Sequence, residues 1–223
     1  ASSNYEEDLR IDYSILEQHA DSYRKIRNTF RYLLGNLNDE FQTIDTEGID
    51  LNKLPELEQY MLHRVYDLNK KFKNYFKLYD FHNLYKELLN FCTLDLSAFY
   101  FDIRKDVLYC DPKNSEKRKS CVIVLNIILE SLLKWFAPIL SFTTEEIFTL
   151  INKNKKSIHL ERFIEFPKSF ENKKLNEKWI ELKKIRDICN ISIEAKRASK
   201  EIGSSLEANL LISLNEKLFN ATE

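Results

Sequence analysis

Glycine stands at only three positions of the 223-residue chain (35, 48 and 203) and proline at four. Three scattered glycines cannot wrap a phosphate chain, and G-x-x-x-x-G-K-[ST], G-x-G-x-x-G and G-x-S-x-G are all absent. Cysteine and histidine are equally sparse. Cys92, Cys110, Cys121 and Cys189 include no C-x-x-C pair, and the histidines at 19, 63, 82 and 159 show no H-E-x-x-H spacing. Neither set has the spacing of a metal centre, so no metal ligands are expected, and the thiols read as free. No nucleophile–base constellation can be assembled, so no catalytic residue is expected in this chain.

An excess of either charge is also missing. With 34 basic and 35 acidic residues the net charge is -1, so no global field draws the chain toward nucleic acid, and any basic site must be a local patch. Long apolar runs are lacking as well. The nearest, CVIVLNIILESLLKWFAPILSF from Cys121 to Phe142, is broken by Asn126, Glu130 and Lys134 and meets Pro138, so no membrane span is expected. The chain opens ASSNYEED, without Met, signal peptide or lipidation motif, which suits a cytoplasmic piece of a longer protein.

What remains is 43% hydrophobic and 31% charged, enough for a real core, and its dominant period is helical. Tyr23, Ile26, Phe30, Leu33, Leu34 and Leu37 form one stripe, predicting a helix from Asp12 or Ser14 to Asn38. Residues 40–53 read as a loop. Pro55 opens a second helix whose stripe runs from Leu57 through Val65 and Phe72 to about Leu78. Asp80 caps a third that continues to Tyr109, where Asp111-Pro112 breaks it. Ser115 caps a fourth, apolar on so much of its circumference that it belongs in the middle of a bundle. Thr143-Thr-Glu-Glu146 has the capping-box pattern of a shorter helix. After a polar stretch over 152–170, a long helix is predicted from Leu175 to Ile202, stopped by Gly203, and Leu210–Leu214 can form a short strand. The fold expected is an all-α bundle with an appended long helix.

Chemistry resides in charge stripes. Arg24, Arg27, Asn28 and Arg31, at i, i+3, i+4 and i+7, lie immediately beside the apolar stripe, with Lys25 pointing elsewhere. Guanidiniums so arranged can grip phosphates or stack on bases. They can equally pair with acids on a neighbour. Asp95, Asp102, Lys105, Asp106 and Tyr109 fall on one face at helical spacing, between two greasy ones, where buried charge needs partners such as Arg27 or Arg31. On the residues alone the ion-paired scaffold leads.

Taken together, the segments SYRKIRNTFRYLLGNLND, LHRVYDL, YDFHNLY, FCTLDLSAFYFDIRKDVLYC, LLKWFAPILSFTTEEI and IGSSLEA resemble, in order, the C-terminal third of bacterial-type isoleucyl-tRNA synthetases. The resemblance covers nearly the whole chain. It implies a class Ia anticodon-binding helical bundle over 1–165 and the start of a C-terminal junction region over 166–223. The implied function is anticodon recognition for an enzyme that ligates isoleucine to its tRNA using ATP. The family's His-x-Gly-His and Lys-Met-Ser-Lys-Ser motifs are absent, the only Met being Met61, so the chain alone is expected to be inactive and to need no cofactor. ATP, and zinc in many members, belong to the missing parts. The implied partners are the anticodon stem-loop of tRNA-Ile and the catalytic core of the same polypeptide, with the protein monomeric. The implied RNA-binding residues are Arg24, Arg27, Asn28 and Arg31, then Arg104 and Lys105, with Lys196, Arg197 and Lys200 near IGSSLEA. Two other readings stay open: a helical protein-interaction module, or the anticodon domain of a sister synthetase (valyl, leucyl or methionyl).

Overall fold

The computed structural model describes all residues except Arg10, 153–155, Ala221 and Glu223, together with the side chains of Asp39, Lys217 and Asn220. The chain divides into two compact units, 1–170 and 171–223. Phe166 stacks on Phe170, and Phe170 is buried, so the last turn of the first unit extends past 165.

The first unit is a bundle of helices: α1 Tyr13–Leu37, α2 Glu56–Leu78, α3 Phe81–Asn90, α4 Phe101–Cys110, α5 Glu116–Phe136 and α6 Ser141–Ile151. Asp12 caps α1 by accepting from the Tyr13 N–H at 2.6 Å, and Asp80 caps α3 by accepting from the Asn83 N–H at 3.1 Å. The predicted α1 stripe is the buried one: Ile26, Phe30, Leu33 and Leu37 all face inward. Helix α5 is the central element, packing against α1, α2, α4 and α6.

The three polar residues that interrupt the α5 run each have a structural task. Asn126, fully buried, accepts from the Gln42 N–H at 2.8 Å and donates to the Glu40 and Val122 carbonyls, tying down the chain after α1. Lys134 bridges Glu130 at 2.7 Å and Glu161 at 3.9 Å. Trp135 Nε1 donates to Asn69 Oδ1 at 3.0 Å, and Asn69 Nδ2 donates to the Ile164 carbonyl at 2.9 Å. Loops on two sides of the bundle are thus fastened through polar side chains on or against one apolar helix.

Several expectations need correction. The predicted third helix is not α-helical throughout, because Phe91–Tyr100 is a ten-residue π-helical segment joining α3 to α4. Its i→i+5 bonds, such as Phe101 N–H to the Leu96 carbonyl, widen the turn and rotate side chains off the 3.6-residue register. Asp95 therefore leaves the face assigned to Asp102 and Lys105. It is buried and pairs with Arg64 of α2 at 3.0 Å, not with Arg27 or Arg31. The Thr143–Glu146 capping box is not formed either. Helix α6 starts earlier, and Thr144 Oγ1 donates back to the Leu140 and Ser141 carbonyls. Glu145 instead accepts from Ser157 Oγ and the Ile158 N–H. Ser115 precedes α5 without a side-chain capping bond.

The second unit holds α7 Lys173–Ala198, capped by Asn172 accepting from the Leu175 N–H at 3.0 Å, and α8 Glu216–Asn220. Helix α7 ends before the predicted Ile202 because Lys200 turns the chain with φ 60°, while Gly203 keeps an ordinary φ. Among the described residues there is no strand: residues 208–215 have no regular structure. A single extended segment has no neighbour to complete its ladder. No described helix is long and apolar enough to cross a membrane.

Burial of ionic groups sets the stability test. Glu58 of α2, 0% exposed, receives two bonds at 2.6 Å from Arg104 of α4, and Tyr100 donates to it at 3.2 Å. Arg104→Ala strands that carboxylate in the core and is expected to cost about 3–5 kcal/mol in urea unfolding. A second ion pair governs the acid limb. Arg118 donates twice to Glu40, at 3.0 and 2.8 Å, and these bonds hold the Glu40 carboxyl below its ordinary value. A carboxyl held low in the folded state adds stability that is present above its unfolded value and disappears as pH falls through the folded one. Urea midpoints measured from about pH 6 down to about pH 3 should fall less steeply for Arg118→Met than for the parent chain.

Candidate nucleic-acid interface

The α1 stripe of arginines begins where the core stripe ends. With Ile26, Phe30, Leu33 and Leu37 fixed inward, Arg24, Arg27, Asn28 and Arg31 are all exposed. Arg24 is bridged to Asp21 one turn earlier, and Arg27 Nη1 reaches only the Tyr23 hydroxyl at 3.4 Å. No ion pair among the described residues involves Arg27 or Arg31. The acids proposed as their scaffold partners are committed elsewhere or lie exposed: Asp95 to Arg64, Asp102 to Lys105 at 3.1 Å. Two guanidiniums thus stand in solvent without an ion-pair partner.

They stand at a groove. A cavity of about 530 Å3 lies between α1 and α6, lined by Arg27, Arg31, Leu34, Gly35, Glu146 and Leu150 among others. Phe30 and Ile147 form its apolar floor, and Tyr23 and Thr143 bridge the two helices by hydroxyls 2.9 Å apart. The volume falls within the roughly 300–1,000 Å3 of ligand clefts, and the lining is an apolar base with a few charged side chains. Sequence reasoning found the arginines and missed the groove. Gly35 was visible only as one scattered glycine, and Glu146 only as a capping-box member.

The other implied residues divide. Arg104 is 7% exposed, with its guanidinium fully engaged by Glu58, so it belongs to the core and not to an RNA-facing surface. It was implied by the resemblance, together with Lys105, and its neighbour Lys105 on the same helix is the one that faces solvent. Lys105 is exposed and bridged to Asp102. In the second unit Lys196 pairs with Glu201 at 2.5 Å and Arg197 with Glu194 at 2.7 Å, while Lys200 is exposed in its left-handed turn. Exposed pairs of this kind are weak and exchange readily for other anions.

None of the cysteines lines the groove. Cys92 and Cys121 are buried, which pushes both thiols up to about 12. All four cysteines are free. No group of three described His, Cys, Asp or Glu residues could hold a metal ion.

Comparison with known proteins places the chain in a family. A profile for the anticodon-binding domain of tRNA ligases matches residues 58–212. The isoleucine–tRNA ligase of Pelagibacter ubique is 79% identical over 223 residues, all of this chain and 25% of that protein. The enzyme of the same name from Mesorhizobium japonicum is 40% identical over 220 residues, 99% of this chain and 22% of that protein. That of Agrobacterium fabrum is 40% identical over 207 residues, 93% of this chain and 21% of that protein. The chain thus spans a quarter or less of the length of these curated relatives. The exposed arginines make few internal contacts. Arg24→Ala, Arg27→Ala and Arg31→Ala should each change unfolding free energy by no more than about 0.5 kcal/mol, measured by thermal or urea melts.

Proposed function

The chain belongs to the family of anticodon-binding domains of tRNA ligases, and on that premise we propose that it holds the anticodon stem-loop of an isoleucine tRNA. The observation that carries this reading is the pair Arg27 and Arg31, exposed and in no ion pair on the wall of the α1/α6 groove. A protein at net charge -1 gains nothing in solubility by leaving them unpaired, whereas an RNA backbone supplies the missing anions. Loop bases are the part of an RNA hairpin open to reading, by hydrogen bonds and by stacking on rings or guanidinium planes. Arg24 and Asn28 extend the grip along the same helix face, and Lys105 adds a cation from α4. Lys196, Arg197 and Lys200 of the second unit hold the stem by exchanging their glutamate partners for phosphates. In this division of labour the unit 1–170 reads the loop and residues from 171 onward begin a junction region.

The names of the relatives support isoleucine as the amino acid whose tRNA is bound. Activation and transfer of the amino acid are assigned to other parts of a longer polypeptide, so this chain alone forms no aminoacyl-tRNA. ATP, and zinc where it is used, act in those parts. The protein partner is the catalytic core of the same polypeptide, and the working form is a cytoplasmic monomer.

Filter binding of unfractionated tRNA, competed by isolated isoleucine tRNA, is the direct test. Engagement of about four phosphates gives a slope of log K against log salt near -3, a loss of roughly 50-fold between about 50 and 200 mM salt. The double variant Arg27→Ala/Arg31→Ala should reduce that slope by about 1.4. A slope near zero overturns the phosphate grip and favours a protein-interaction module. Better competition by valine, leucine or methionine tRNA transfers the chain to a sister synthetase.

A further inference from the structure

The α1/α6 groove holds two features that gripping phosphates does not use. One is Gly35. Inside a helix, glycine costs about 0.5–1 kcal/mol relative to alanine, and it is kept where φ must be positive or where something must approach the backbone closely. Gly35 has no positive φ, and a methyl group built on it meets nothing within 4 Å. Nothing within the protein therefore requires a glycine there, yet the residue lines the groove one turn beyond Arg31.

The other is Glu146. It is exposed on the α6 wall and makes no hydrogen bond or ion pair with any described residue, although Arg27 and Arg31 line the same cavity. A carboxylate facing an RNA site repels phosphate, so its use must be toward a base. An ionised carboxylate only accepts, through two oxygens side by side. Guanine alone among the four bases offers two adjacent donors on its Watson–Crick edge, N1–H and N2–H2. Adenine and cytosine each set one amino group beside an accepting ring nitrogen, and uracil flanks its single N–H with two carbonyls. Each of those three would press a lone pair against one carboxylate oxygen.

We propose that the groove receives one guanine extruded from the bound loop, read by Glu146, with Gly35 leaving room for the nucleotide to lie against α1. The base rests against Leu34 and Leu150, the more exposed apolar side chains of the lining, above the buried Phe30 and Ile147. Charge assistance strengthens the paired N–H to carboxylate bonds, so Glu146 sets specificity while Arg27 and Arg31 set affinity. The inference rests on the RNA-binding reading above.

The test uses RNA hairpins with a seven-nucleotide loop of uridines carrying a single guanosine at each loop position in turn. A parallel set carries inosine, which lacks the N2 amino group. Anisotropy titrations of the intact chain should show, at one loop position, guanosine bound about tenfold more tightly than inosine, as expected of a bidentate base contact. Glu146→Gln should reduce that preference to about twofold or less while its affinity for the all-uridine loop does not fall. Gly35→Ala should melt no lower than the parent chain and yet bind the preferred hairpin about tenfold more weakly, a combination that a purely structural glycine does not give. Hairpins that bind without any guanosine preference overturn the inference and leave the RNA reading intact, as does a preference that survives Glu146→Gln. Failure of the parent chain to bind any hairpin overturns both.

Discussion

Helix α5 is apolar on nearly its whole circumference, so it can be satisfied only by being surrounded. Cys121, Val124, Leu125, Ile128, Leu129, Leu132 and Phe136 are completely buried. At roughly 1.5–3 kcal/mol for each large apolar side chain removed from water, this one helix outweighs any other local contribution. Its demand for cover places the rest. Helices α1, α2, α4 and α6 pack around it, and α1 meets it through the edge contact of Phe30 with Phe136, ring centroids 5.9 Å apart. Since α1 and α6 both lean on α5, a seam opens on their outer side. The groove is that seam, a by-product of packing two helices on a third.

The polar groups inside the bundle answer a different need. Hydrophobic burial alone tolerates sliding and rotation of helices, whereas Glu58 with Arg104 and Tyr100 fixes α2 against α4 in one register. Asp95 with Arg64 does the same one π turn earlier. Because Tyr32 of α1 stacks on Phe101 at 4.1 Å, at the start of α4, the angle of α1 about its own axis is set by a chain of contacts leading back to that ionic pair. The outward direction of Arg27 and Arg31 thus depends on residues buried on the other side of the helix.

Much of this was legible in the sequence, and the failures have distinct causes. Apolar stripes located α1, α2 and α5 closely, since a period of 3.6 sustained over five or more turns leaves few alternatives. The same arithmetic set the arginine flank of α1 beside the apolar stripe but favoured ion pairs with a neighbouring helix, which Arg27 and Arg31 do not make. That arithmetic failed at 91–110, where a π segment shifts the register and no residue type announces it. Asp95 was assigned to the wrong surroundings for this reason, whereas Arg104 was named by resemblance and its buried partner Glu58 lies 46 residues away in the chain. The groove was invisible for another: it needs α1 and α6, separated by more than a hundred residues, to be brought together by α5. Leu210–Leu214 has strand-forming residues, but a strand is a property of two segments and composition describes one.

The absence of internal ion pairing at the groove is the feature that packing does not explain. At several other helix positions charges are neutralised locally: Arg24 with Asp21, Lys105 with Asp102, Lys119 with Glu116, Lys184 with Glu181. With 34 basic and 35 acidic side chains, opposite charges are available along the whole chain. At the α1/α6 seam two guanidiniums and a carboxylate line one cavity and remain apart. Groups held near each other without combining are preorganised for a ligand that carries both complements, anionic at its backbone and donor-rich at one edge. A nucleotide has that composition, whereas a lipid headgroup offers the anion and no such edge. The fold thus leaves unpaired charge at the α1/α6 seam, the site proposed above for RNA.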